Sequence, residues 1–441
     1  MTCEPPRPSR GSQAKVLLAL VSLALGGMLP AAAAAPDDAT TAQGAISRAR
    51  AEQGDSMREA RKKAAHRTRR IIMNNDGNDA WRHQPGEAKT PEHFLGKRTS
   101  PLVGSQVDAI FYCTGVFNVY THRSDETELR AHADRGVDDW AWELIQQGRD
   151  SLEIISDFGH QHGIEVFWSM RMNDTHDSGD GALFSRWKAE HPELLMGKKG
   201  DKFPYGGNRW SAVNYALPQV REKVFRILRD VCTRYDVDGV ELDFYRHPVY
   251  FKPQMTGEPV TQEQCDLMTA LLRRVRRMTD EVGRRRGRPL LIAVRVPDSV
   301  GFAKAIGLDL VAWLEGDLVD LVVGGGYFHF EPWEDLVALG RRYDAPVYAC
   351  LSASRIVSPK DPESKGDIAQ WRGEAMRAWE AGVSGIYTFN RFDPLDPIFR
   401  ELGSPEVLKG LPRTYVLTPG RGMDHWLKGG SRFLKHGSRF S

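Results

Sequence analysis

From Arg70 onward the chain alternates short runs of β-forming residues with longer segments of helical or loop character. Eight such runs follow one another: IIMNND (71–76), AIFYCT (109–114), EVFWSMR (165–171), GVELDFY (239–245), LIAVRVP (291–297), LVVGGGYF (321–328), VYACLS (347–352) and GIYTFN (385–390). The segment from Leu217 to Tyr235 lines up Val220, Val224, Ile227, Leu228, Val231 and Tyr235 on one helical stripe. Pro218 sits in its first turn, where a missing amide proton costs little. Strands alternating with helices predict an α/β fold, a (β/α)8 TIM barrel over residues 70–402 with long loops after strands two, three and four. A doubly wound open sheet is the rival, but no glycine-rich phosphate loop follows the first strand. Gly324, Gly325 and Gly326 lie within strand six, where they read as close packing or room for a ligand.

The fourth run departs from a simple buried strand. Val240, Leu242 and Phe244 share one face while Glu241, Asp243 and Tyr245 share the other. Aspartate and glutamate are poor strand formers, and in a parallel barrel the inward side chains near a strand's C-terminal end line the active-site mouth. Asp243 therefore reads as the centre of a catalytic site and Glu241, one pleat deeper, as its support. The bland alternative for both is a carboxylate that neutralises an interior arginine.

The residues from Asn214 to Pro248 carry a family likeness. Asn214, Pro218, Tyr235, Asp236, Asp238, Gly239, Asp243, Tyr245 and Pro248 resemble the signature of the secreted, glycosyl-hydrolase-like TIM barrels of the family-10-like type. The resemblance implies a barrel, a carbohydrate substrate and an essential aspartate ending strand four. Where that family commonly has two successive aspartates, this chain has Asp243 and Phe244, so a role for the second acid is absent or has moved. Strand seven holds no carboxylate, which removes the arrangement used by family-10 xylanases proper.

Glycoside hydrolysis normally needs two carboxyl groups, one protonated and one ionised. With Asp243 ionised, the second acid is expected at Asp298, just past strand five, or at Glu331 after strand six. Asp174 and Asp393 also follow strand ends. Asp298, directly before Ser299, reads equally as a helix cap. Cations gather at the same strand ends: Arg171, Arg246, His247, Arg295, His329 and Arg391. Arg295 is assigned to Glu241 or Asp243, and Arg171, Arg246 and Arg391 to an anionic sugar. Trp210, Asn214, Tyr245, Tyr327 and Asn390 complete the expected substrate contacts, with loop aromatics such as Trp210 free either to stack on a sugar ring or to pack the loop. Asp243→Asn is expected to be inactive but stable, and Glu241→Gln destabilised.

Composition narrows the partners. A formal net charge of +2 over 441 residues gives no strong attraction to nucleic acid, leaving a polysaccharide or oligosaccharide as the expected partner. Basic Arg7, Arg10 and Lys15 ahead of the apolar Val16–Leu29 run read as a signal peptide over residues 1–35, too short for a stable membrane span. Residues 36–69 read as a linker or solvated helix and residues 403–441 as a tail. The five cysteines form no CxxC or Cys/His pattern, so no metal and no other cofactor is expected; His247 with His329 and Asp243 lacks any metal-ligand spacing. Oligomeric state is left open. Three functions compete: a glycoside hydrolase, a glycan-binding barrel with little catalysis, and a metal-dependent hydrolase.

Overall fold

The computed structural model describes residues 54–81, 86–130, 140–206, 209–325, 331–352, 367–415 and 423–435. Eight strands close into a parallel barrel, and each of the eight runs read from the sequence supplies one. They are β1 (Ile71–Asn75), β2 (Val107–Tyr112), β3 (Glu165–Arg171), β4 (Gly239–Asp243), β5 (Leu291–Val296), β6 (Leu321–Gly324), β7 (Val347–Ser352) and β8 (Gly385–Phe389). The order around the barrel follows the chain, with β8 paired to β1. Between them run α1 (Pro91–Arg98), α2 (Ser151–His162), α3 (Pro218–Arg234), α4 (Gln262–Arg286), α5 (Val300–Ala305), α6 (Leu310–Glu315), α7 (Trp333–Arg342) and α8 (Ile368–Ala381). The loop after β2 carries a small three-stranded sheet, and the loop after β3 runs from residue 172 to 217.

Alternation along the strands divides the apolar residues into two cores. Ile72, Phe111, Phe167, Ala293, Val323, Tyr387 and Phe389 fill the barrel interior, while Ile110, Trp168, Leu242, Val294 and their neighbours join the layer packed with the helices. The register stacks interior residues in layers. Phe167, Gly239 and Leu291 are partners at the lower level, Ser169, Glu241 and Ala293 at the next, and Arg171, Asp243 and Arg295 at the C-terminal end. Gly239 is required by close approach, since a Cβ there would stand 2.2 Å from the Phe167 ring. Asp238 beside it accepts from Val166 N (2.8 Å) and Arg288 Nη1 (2.9 Å), a structural use of the Asp-Gly pair in the motif.

Two terminal segments differ from their sequence description. Residues 54–65 are helical and pack on the barrel: Arg61 is buried and pairs with Asp280 (3.2 Å), Asp317 (2.7 Å) and Asp320 (2.6 Å), and Ala65 is buried. The side chain of Arg69 is fully buried against Glu165 at the start of β3 (2.5 Å). Charge, not an apolar stripe, holds this segment, so hydrophobic periodicity did not reveal it. In the tail, Leu427 is fully buried, Lys428 N donates to Gly257 O (2.8 Å), and Phe433 meets Phe302 edge-on at 5.9 Å. The described tail residues thus rest on loops and helices that follow β3, β4 and β5. Residues 1–35 lie outside the described residues, and among those described no helix is long and apolar enough to cross a membrane.

Candidate active site

The topmost interior layer sets Asp243 between Arg171 and Arg295 on neighbouring strands. Asp243 is 1% exposed and takes a two-pronged pair from Arg295, Nε to Oδ1 at 3.0 Å and Nη2 to Oδ2 at 2.6 Å. The chain turns directly after β4, so the Tyr245 and Arg246 amides also donate to Oδ1, at 2.9 and 3.0 Å. Four donor hydrogens thus converge on one carboxylate. Burial, the largest influence, would lower the Arg295 pKa, but Asp243 together with Tyr387, Cys350 and Glu241 outweighs it, and the guanidinium is held well above its ordinary value. Phe389 lies 4.1 Å from the guanidinium and Tyr245 and Tyr387 about 6 Å away, which holds Arg295 in an aromatic cage.

Glu241 lies below, fully buried. Its Oε2 accepts from Ser169 Oγ and from Tyr387 OH (3.2 Å), and its Oε1 has no partner among the described residues. Burial first, then the Asp243 charge, pushes its pKa up to about 7. Of the two partners the sequence offered Arg295, the geometry selects Asp243.

The loop after β3 adds a second group. Asp174, fully buried, accepts from the His176 ring Nδ1 (2.6 Å), from His176 N (2.8 Å) and from Arg171 Nη1 (3.1 Å). Burial opposes its ionisation, yet the His176 hydrogen bond and Arg171 prevail and hold the carboxyl well below its usual range. His176 Nε2 meets Arg246 Nη2 at 2.9 Å. Because arginine only donates, Nε2 is the acceptor and Nδ1 carries the proton toward Asp174. His247, with φ of 59°, accepts the Thr175 amide at Nδ1 (2.9 Å), and burial keeps it neutral by lowering its pKa well below the ordinary value. Arg209 donates to Thr175 Oγ1 (3.1 Å) and stacks 4.8 Å over Trp426 of the tail.

Asp174, His176 and His247 bring ligand-type atoms within 4.8 Å of one another. The donor set does not suit a cation. His247 Nδ1 is occupied by an amide proton, His176 Nε2 by a guanidinium, and Arg171, Arg209 and Arg246 supply positive charge around the group. An anion suits it better. Burial, joined for Arg246 by the like charge of Arg171, drives Arg209 and Arg246 each down to about 10, so the local carboxylates do not offset their desolvation.

The other expected site residues have contacts of their own. Asp298 is 1% exposed and lies against Gly324 of β6. Glu331 accepts from Ser299 Oγ (2.9 Å), pairs with Lys435 of the tail (3.3 Å), and lines a cavity of about 550 Å³ between α5, α7 and the tail. Arg391 pairs with Asp396 and lies 5.1 Å from the Trp371 ring. Asn214 makes a turn before α3, its Oδ1 accepting from Ala216 N at 3.1 Å, and Asn390 takes a left-handed conformation just past β8. Trp210 is 7% exposed, touches Phe184 at 5.4 Å and lines a loop cavity of about 460 Å³. Tyr327 and His329 lie outside the described residues. His176, Arg209 and Tyr387 were missed from sequence. Tyr387 was open to discovery by alternation along β8; the loop residues offered no periodic signal.

Residues 139–268 match the family model described as glycosyl hydrolase-like 10. This bears out the resemblance drawn from residues 214–248 and takes in Asp174, His176, Asp243 and Arg246. Among curated proteins no sequence matches. Solved structures of similar fold include the PgaB (BpsB) glycoside hydrolase domain from Bordetella bronchiseptica, 12% identical, covering 77% of this chain and 99% of that one with a TM-score of 0.49. A glycoside hydrolase family 18 N-acetylglucosaminidase from Paenibacillus barengoltzii is 12% identical over 78% of this chain and all of that one, with a TM-score of 0.41. The glycosyl hydrolase-like 10 match spans β3, β4 and the loops that follow them, while Arg295 and Tyr387 lie beyond it.

Proposed function

We propose that this chain is an exported glycoside hydrolase that cleaves O-glycosidic bonds of an anionic polysaccharide, sulfated, uronic or peptidoglycan-type, with Asp243 as its ionised carboxylate. The carrying observation is Asp243 itself: at the C-terminal end of β4, bound by both prongs of Arg295 and by two backbone amides. An ionised carboxylate at a barrel mouth is suited to the positive charge of an oxocarbenium-like transition state. The anionic preference rests on Arg171, Arg209, Arg246 and Arg295, which gather around Asp174, His176 and Asp243 and can fork onto a sulfate or carboxylate. Export rests on the basic and apolar pattern of residues 1–35.

A second reading is a glycan-binding barrel with little catalysis. It is favoured by Phe244 in place of a second aspartate and by Glu331, which is engaged by Ser299 and Lys435. The test is reducing-end release across neutral, sulfated and uronic polysaccharides, with Asp243→Asn as the control. Release by the wild type that disappears in the variant supports the hydrolase. Binding without release by either protein supports the second reading.

A further inference from the structure

We propose that the proton donor of this site is not a carboxylic acid but the imidazole of His176, backed by Asp174. The inference rests on the hydrolase reading above and supplies the acid which that reading lacks. Three observations carry it. His176 follows β3 at the mouth and its side chain is 38% exposed, whereas Asp174 behind it is fully buried. Their 2.6 Å hydrogen bond fixes the ring and leaves Nε2 pointing away from Asp174. Arg246 then ties the ring to Asp243, through its side chain to His176 Nε2 at 2.9 Å and its own amide to Asp243 Oδ1 at 3.0 Å.

A buried aspartate on one imidazole nitrogen stabilises the imidazolium, which makes the opposite nitrogen an effective acid and base. The charged and titratable groups around the ring are Asp174 on its own loop, Arg246 and His247 from the loop after β4, and Arg209 through Thr175. In the structure Arg246 donates to Nε2. An anionic sugar group that draws Arg246 away opens Nε2 to a proton and to the glycosidic oxygen. The Nε2–H proton then passes to that oxygen as the bond to the anomeric carbon breaks. The oxygen keeps the bonding pair and leaves as an alcohol, while Asp243 offsets the positive charge on carbon. Water adds its hydroxyl to that carbon and returns its other proton to Nε2, so the net change is hydrolysis.

The substitution His176→Asn tests this, because its amide nitrogen takes the place of Nδ1 toward Asp174 while Nε2 is removed. Two substrates are compared: the glycan cleaved in the screen, and a 2,4-dinitrophenyl glycoside of the same sugar, whose leaving group needs no proton. The expected result is a loss of about 10²–10⁴-fold on the glycan with little loss on the aryl glycoside. Asp174→Asn should give the same pattern more weakly, and serves if His176→Asn does not fold. Equal losses on both substrates, or none on either, overturn the proposal. Asp243→Asn separates the two ideas, since it must lose both substrates if the hydrolase reading is right. An aryl glycosidase indifferent to Asp243 would sink that reading without touching the His176 ratio, and a wild type that cleaves neither substrate sinks both.

Discussion

Each end of the barrel holds a buried arginine–carboxylate pair, Arg69 with Glu165 below and Arg295 with Asp243 above. Distances are alike, 2.5 and 2.6 Å, so the ion pair alone does not mark the chemical end. The surroundings do. Below, Arg61 and Arg276 share Asp280 and Asp320, Arg61 also meets Asp317, and Arg67 adds to Glu165. Glu165, Asp280, Asp317 and Asp320 are shared there among Arg58, Arg61, Arg67, Arg69 and Arg276, so each of these arginines meets a carboxylate. Above, Arg171, Arg209, Arg246 and Arg295 gather around Asp174 and Asp243, and two of the four are driven down to about 10 by uncompensated burial. A network in which each arginine meets a carboxylate holds a fold together, while one whose arginines carry uncompensated burial at the C-terminal ends of strands is prepared for a ligand.

The largest effect that sharpens this contrast comes from neutralising one acid at each end. Asp243→Asn and Glu165→Gln each leave a buried arginine without its counterion, so both should lower stability by about 3–5 kcal/mol. Turnover should fall by about 10⁴-fold in the first alone, the scale of removing one charged member of a catalytic set. Thermal midpoints and turnover measured together decide it, and equal turnover loss in both would erase the distinction. The structure here amends the expectation that Asp243→Asn is stable, because Arg295 is fully buried.

Next in size is Arg61→Ala. Three aspartates lose a buried partner, and a stability loss of about 3 kcal/mol is expected with turnover unchanged below the new midpoint. An unchanged midpoint would mean that residues 54–65 add nothing to the barrel's stability.

The smallest effect reverses the expectation for Glu241→Gln. Glu241 titrates at about 7 in the fold against an ordinary 4.5, so the folded state binds this proton more tightly than the unfolded one. The associated stabilisation is complete below about pH 4.5, is lost as pH rises to 7, and above that the buried charge is a cost. Glutamine removes the cost. Glu241→Gln should therefore be more stable than wild type by about 1–3 kcal/mol at pH 8, with the difference gone near pH 5. A midpoint lower than wild type at both pH values would contradict the assignment.

The barrel was legible because each strand writes its two faces in alternation, and the same alternation put Asp243 and Arg295 side by side. The Ser169–Glu241–Tyr387 contact follows from that rule as well, although only Glu241 had been singled out. His176 and Arg246 lie 70 positions apart on the irregular loops that follow β3 and β4, where no period relates sequence distance to space. Arg61 was hidden for another reason, since its segment docks through charge. The tail docks through few apolar residues, chiefly Trp426 and Leu427, too few to form a pattern.

The central claim, that the cations above the barrel recognise an anionic glycan presented to Asp243, is tested most directly by removing charge from the substrate. The measurement is kcat/KM on a uronic or sulfated glycan cleaved in the screen and on the same glycan with its carboxyls reduced or sulfates removed. A preference of at least about tenfold for the charged form is expected, narrowing as salt is raised. Equal or faster cleavage of the neutral form would contradict it.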